Sequence, residues 1–169
     1  ILEYDRLFRS QIIYEAIDLE IALDRIIAWH FCSDEAKHGA FLSLVFQEGG
    51  ISFAKKIRML DELLKHSYPD LKEAFGFLPK RLDLVRGLRN NFAHWQVVLP
   101  DEPPPPNAAE GVTLRHLKNG KWVEEFVSRT EVDARVSECR DLGVLAFLLE
   151  DLIRTRVTNK AQAKEQSAI

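Results

Sequence analysis

The chain has 169 residues, 46% hydrophobic and 29% charged, which is one ordinary domain with enough apolar surface for a core, not a disordered chain. Its 23 Lys+Arg against 26 Asp+Glu give a formal net charge of −3, excluding a protein that coats nucleic acid by bulk charge but leaving room for a local basic site. No apolar run is long enough to span a membrane.

Ile12, Ala16, Leu19, Leu23, Ile26 and His30 step by fours and threes, one apolar seam that predicts a long helix from Tyr4 to Phe31. Ser33-Asp34 suits the cap of a shorter helix ending before Gly49-Gly50, although Phe41 to Phe46 reads equally as a buried extended run. A third helix follows Ser52, with Phe53, Ile57, Leu60 and Leu64 on one face, and Tyr68-Pro69 closes it. One or two helical turns are expected between Pro69 and Leu78. Pro79 then opens a helix over Lys80 to Trp95, whose buried stripe is expected to be Leu84, Leu88, Phe92 and Trp95.

From Leu99 to Gly111 the chain reads as an exposed spacer, because Pro103 to Pro106 exclude helix and inner strand. Asn119-Gly120, between Val112–Lys118 and Lys121–Val127, predicts a hairpin over about 112–127, with Arg115 facing Glu124 and Leu117 facing Trp122. Thr130 with Asp133 resembles a capping box for a last helix over Glu131 to Val157. Its inner side is expected to carry Val132, Val136, Cys139, Leu142, Leu145, Leu149 and Leu152, and residues 158–169 to form a polar, frayed tail. The expected architecture is an all-α bundle of four to five main helices with one inserted β-hairpin, a single domain over 1–157.

One segment stands out from a generic bundle: Arg86-Gly87-Leu88-Arg89-Asn90-Asn91-Phe92-Ala93-His94-Trp95, at a helix end. Arg86, Asn90 and His94 are spaced by four and so share a strip of helix surface. Arg89 lies about 140° from His94 on an ideal helix, within reach only through its long side chain or from a second subunit. Histidine can give or take a proton near neutral pH. The arginine fork fits a phosphate at two points, and asparagine can fix a pose. No Ser or Cys nucleophile sits beside this histidine, whereas RNA brings its own in the ribose 2′-hydroxyl.

Arg89-Asn-Asn-Phe-Ala-His94 resembles the Arg-x-x-x-x-His signature of the HEPN superfamily of small helical bundles. The resemblance covers the helical parts, roughly Tyr4 to Trp95 and Glu131 to Val157. It implies a metal-independent endoribonuclease, without cofactor, in which Arg89 and His94 are the catalytic pair and Asn90 assists. It implies a homodimer with facing motifs, so that one histidine deprotonates the 2′-hydroxyl while the other protonates the leaving oxygen. It also points to a toxin–antitoxin or phage-defence context with RNA and an antitoxin or other protein as partners. Arg86, Asn91 and Trp95 are the expected substrate contacts.

Lys55, Lys56 and Arg58 could line an RNA groove or simply face water. The bland alternatives are that His94 caps a helix end and that Arg89 holds a carboxylate such as Asp24 or Asp83. Glu35-x-x-His38 has the form of a di-metal bundle ligand pair but lacks a second copy, so no metal is expected. His30 reads as a satisfied core or boundary residue. Cys32 and Cys139 are too few for a disulfide scaffold and read as buried thiols in a reducing, cytoplasmic setting. The chain begins at Ile1 without Met, so residues or a targeting segment can precede it. Other readings are a non-catalytic module of the same fold that binds nucleotide, RNA or a protein, and a structural dimerisation domain whose hairpin and proline spacer dock another protein.

Overall fold

The apolar seam near the amino terminus folds as expected into a long helix, α1 (Leu2–Phe31), with Ile12, Ala16, Leu19, Leu23 and Ile26 buried. The computed structural model describes residues 2–98 and 110–167, with side chains from residue 9 onward within those ranges. The proline run therefore lies outside the described residues.

α2 (Glu35–Phe41) is capped by Asp34, whose carboxylate accepts the Lys37 backbone N–H at 3.0 Å. It continues into a π-helical segment, Leu42–Gln47, in place of the extended run that the sequence left open. α3 (Phe53–His66) buries Phe53, Ile57, Leu60 and Leu64, as its spacing predicts. α4 (Pro69–Phe75) and α5 (Leu78–His94) each carry a proline in the first turn, where its missing N–H costs nothing.

β1 (Gln96–Val98), β2 (Gly111–Lys118) and β3 (Lys121–Ser128) form an antiparallel sheet in that order, and α6 (Arg129–Gln166) closes the chain. The hairpin register is the expected one, Arg115 opposite Glu124 and Leu117 opposite Trp122. Asn119 and Gly120 take φ of 52° and 74°, the two left-handed residues a type I′ turn requires. The described residues are thus mostly helical with a small sheet of three strands rather than two.

Several details depart from the sequence-based expectation. Leu84 is 59% exposed, not buried; α5 packs through Leu82, Val85 and Phe92, with Leu88 and Trp95 half-buried. The capping box of α6 is Ser128 with Glu131, not Thr130 with Asp133: Ser128 Oγ accepts the Glu131 N–H, and Glu131 accepts the Ser128 N–H at 2.9 Å. α6 runs on through Gln166 instead of fraying after Val157, and Ile153 takes the inner position expected of Leu152, which is exposed. Lys56 is buried rather than part of a basic surface. Its ammonium donates to Glu20 Oε1 and Asp24 Oδ2, each at 2.9 Å.

Two apolar clusters hold the fold. The larger joins α1, α3, α4, α5 and α6 through residues such as Leu19, Leu23, Leu60, Leu82 and Leu149. Each fully buried Leu or Ile contributes about 1.5–3 kcal/mol. The smaller cluster, Ile12, Phe92, Val112, Leu114, Val132 and Val136, fastens the sheet to α1, α5 and α6. It fixes the end of α5, and with it the motif.

Candidate functional site

The motif occupies the last turns of α5 and the residue after it. Phe92 is buried in the smaller cluster, and its carbonyl accepts a hydrogen bond from Arg9 Nη1 at 2.9 Å. The Trp95 N–H closes the helix on the Asn91 carbonyl at 2.8 Å. The Trp95 ring lies parallel to the His116 ring of β2, with centroids 4.1 Å apart and planes 8° apart. These contacts hold the segment Arg89–Trp95 against the sheet and α1, so its outward side chains stand on a rigid support.

The six residues singled out from the sequence separate onto three sides of α5. Arg86, Asn90 and His94 share one strip, as their spacing requires. Asn91 and Trp95 lie on the next strip, toward the sheet. They line a cavity of about 670 Å³ with His116, Lys118, Glu125 and Arg135. Arg89 lies round the other side, about 140° from His94, and the two are not joined by a hydrogen bond.

Arg86 is engaged: its Nε is 2.8 Å from Asp83 Oδ1. Arg81 is likewise engaged with Glu138 at 2.6 Å. Arg89 differs. It is half-buried, donates only to the Oδ1 of its neighbour Asn90 at 3.3 Å, and has no carboxylate in ion-pair range among the described residues. Asp24 is taken by Lys56 and Asp83 by Arg86, so neither of the carboxylates suggested by the bland alternative holds Arg89. A guanidinium has five N–H donors, so most of this one's remain open to an anion. His94 is the last residue of α5, is exposed, and makes no hydrogen bond or ion pair among the described residues. It is therefore accessible to solvent and to a ligand.

The other titratable groups sit in structural roles. His30 Nδ1 is 3.0 Å from the Tyr68 hydroxyl, and burial pushes its pKa down and that of Tyr68 up. His38 is buried and stacked on Trp29 at 4.1 Å, while Glu35 is exposed. No group of three or more metal-ligating side chains gathers among the described residues. Both cysteines are buried free thiols; burial raises the pKa of Cys32 and pushes that of Cys139 up to about 11. No helix among the described residues is long and apolar enough to cross a membrane.

Sequence reasoning missed two features of this region. The Trp95–His116 stack joins residues on separate elements and has no local signature. The buried Lys56–Glu20–Asp24 cluster was hidden because a Lys-Lys pair on an amphipathic helix ordinarily faces water. No protein-family model matches the chain, and no curated protein or solved structure matches it either.

Proposed function

We propose that the chain is an HEPN-like, metal-independent endoribonuclease in which Arg89 binds the scissile phosphate and His94 moves the proton. The observation that carries this reading is the contrast along α5: Arg81 and Arg86 are neutralised by carboxylates, while Arg89 is half-buried with no carboxylate partner among the described residues and His94 is open. A guanidinium held on a rigid helix and left with free donors is suited to the oxygens of a phosphodiester. The resemblance of Arg89-Asn-Asn-Phe-Ala-His94 to the HEPN signature supports RNA as the polymer.

His94 takes the proton of the 2′-hydroxyl as that oxygen attacks phosphorus. The bond to the 5′-oxygen breaks, and a second acid protonates the leaving group. The products are a 2′,3′-cyclic phosphate and a 5′-hydroxyl. Arg89 stabilises the charge that develops on the phosphoryl oxygens, and Asn90, which accepts from Arg89, orients it. In the family-like arrangement the second acid is His94 of a second copy related by a twofold axis. Arg86 and Asn91 flank the path of the strand, and Trp95 offers a half-buried ring beside it. A toxin or phage-defence role, with an antitoxin or other protein as partner, follows from the same resemblance.

The second reading is a non-catalytic module that binds nucleotide, RNA or protein. The cavity of about 670 Å³ beside Asn91 and Trp95 favours it, since that volume lies in the range of ligand sites. Incubating a panel of RNAs with the protein and with His94→Ala, in EDTA, separates the two. The nuclease reading expects cutting by the native chain only. Equal RNA binding by both proteins with no cutting across the panel would favour the binding module.

A further inference from the structure

A second cavity lies at the far end of the bundle from the motif. Its volume is about 530 Å³, and it is walled by the end of α1, the junction of α3 and α4, and the last turns of α6. Phe92 of α5 packs with Ile12, whereas His30, at this cavity, lies roughly 18 residues and 27 Å further along α1. Two ion pairs, Arg25 Nε to Glu150 Oε2 at 3.0 Å and Arg140 Nε to Glu15 Oε1 at 2.7 Å, each join residues 125 apart in sequence, so α1 and α6 run parallel. α6 therefore passes the end of α1 at about Arg156 and carries Lys160 and Lys164 beyond it, about one and two turns on.

The charges around this cavity are of one sign. Arg156, Lys160 and Lys164 line it and no described carboxylate does, in a chain whose net charge is −3. Arg156 is held by Asp70, Nη1 to Oδ1 at 2.9 Å and Nη2 to Oδ2 at 2.6 Å. Lys160 and Lys164 have no ion pair among the described residues, although they follow Arg156 at a spacing where like charges repel along a helix. Ser33 and Ser67 add hydroxyls without a hydrogen-bond partner among the described residues. Tyr68, 7% exposed, and His30 share one hydrogen bond, hydroxyl to Nδ1 at 3.0 Å. In either histidine tautomer that bond uses one donor of the pair and leaves another, the His30 Nε2–H or the Tyr68 O–H, for a ligand. At the rim Phe31 is 58% exposed, its ring centre 4.8 Å from that of His30.

We propose that this cavity binds a nucleoside diphosphate, with the phosphates on Lys160 and Lys164 and the base against Phe31. Two ammonium groups without carboxylates oppose the charge of a diphosphate. The serine hydroxyls and the spare donor of the His30–Tyr68 pair suit its oxygens. An exposed aromatic ring suits a base. The volume lies within the range of small-molecule sites, about 300–1,000 Å³. The site shares no residue with Arg86–Trp95 or with the cavity beside Asn91 and Trp95, so it is independent of the nuclease reading.

Isothermal titration calorimetry of the 169-residue chain with ADP and with GDP tests the proposal. At least one is expected to bind with a Kd below about 1 mM. The matching nucleoside and inorganic pyrophosphate each lack half of the ligand and are expected to bind at least about 10-fold more weakly. Lys160→Glu and Lys164→Glu, both at exposed positions, are each expected to weaken binding at least about 10-fold, and Phe31→Ala at least about 5-fold. His94→Ala and Arg89→Ala are expected to bind as the native chain does, whether or not they cut RNA. Circular dichroism melts report that each variant is folded, and Lys160→Gln or Lys164→Gln replaces a charge reversal that is not. No binding of ADP or GDP at millimolar concentration overturns the proposal. So does binding that survives the lysine changes or Phe31→Ala, or pyrophosphate that binds as tightly as the nucleotide. An oligoribonucleotide that displaces the bound nucleotide at lower concentration gives the cavity to a nucleic-acid strand and overturns it too.

Discussion

Replacing Lys56 by methionine tests the buried charge cluster that ties α3 to α1. The Lys56 ammonium is 2.9 Å from Glu20 Oε1 and 2.8 Å from Asp24 Oδ1, and the three side chains are 5%, 25% and 14% exposed. Methionine matches the stem and still packs on Phe46, whose ring centre is 5.5 Å from the ammonium, but leaves two carboxylates without their cation. Removing one partner of a buried pair costs about 3–5 kcal/mol; both carboxylates keep some access to water, so about 2–3 kcal/mol is expected here. For a chain of this size that is a fall in Tm of roughly 4–12 °C.

The loss should also depend on pH. Burial raises the Asp24 carboxyl above its ordinary value, and Lys56 pulls it part of the way back. Without Lys56 the folded-state value climbs further above the unfolded value of about 3.9. The deficit of Lys56→Met is then full at neutral pH and shrinks as pH falls through that raised value. Urea unfolding of both proteins at neutral pH and near pH 4 measures it. A neutral-pH difference under about 0.5 kcal/mol, or a deficit that grows on acidification, would show that the Lys56 cluster does not hold α3 to α1.

Three further outcomes are expected. Arg89→Ala should cut RNA at least about 100-fold more slowly, and Arg89→Lys should not restore the rate, because an ammonium cannot make the two-point contact; a melt within a few degrees of native is expected, since Arg89 has no carboxylate partner to lose among the described residues. Gly120→Ala, at φ 74° in the hairpin turn, should cost about 1 kcal/mol in urea unfolding, whereas the same change at a residue of ordinary φ would not. A thiol reagent near neutral pH should label native protein slowly and both cysteines fully on unfolding, because Cys32 and Cys139 are buried and the pKa of Cys139 is pushed up to about 11.

Much of the fold was legible because its signals are local. The Asn119-Gly120 turn demands two left-handed residues, and the hairpin register follows from it. The α1 seam and the α3 face are plain period-3.6 patterns. What escaped were features set by distant partners. β1 has three residues and exists only because Gln96–Val98 pair with β2, some fifteen residues further on. Leu84 shares an i, i+4 ladder with Leu88 and Phe92. Yet the first half of α5 meets the larger core and its end meets the sheet cluster, so Leu82 and Val85 are the residues covered. The Ser128-Arg-Thr-Glu131 spacing is a capping signal in the sequence as much as Thr130 with Asp133; Ser128 is both the last residue of β3 and the cap of α6.

The candidate site was legible only as a list of residues. Their four-residue spacing put Arg86, Asn90 and His94 on one strip. It could not show that Arg86 is occupied by Asp83, that Arg89 has no carboxylate partner among the described residues, or that Asn91 and Trp95 face the sheet instead.

We propose that His94 and Arg89 cut RNA through its own 2′-hydroxyl. The most direct test is a defined oligoribonucleotide, cleaved in EDTA, with the 3′ ends read by mass and the same substrate repeated with a single 2′-deoxynucleotide at the cut. The all-ribose strand should give 2′,3′-cyclic phosphate ends, with no cutting at the deoxy position and no cutting at all by His94→Ala. Cutting at the deoxy position, or activity that survives His94→Ala, would contradict the proposal.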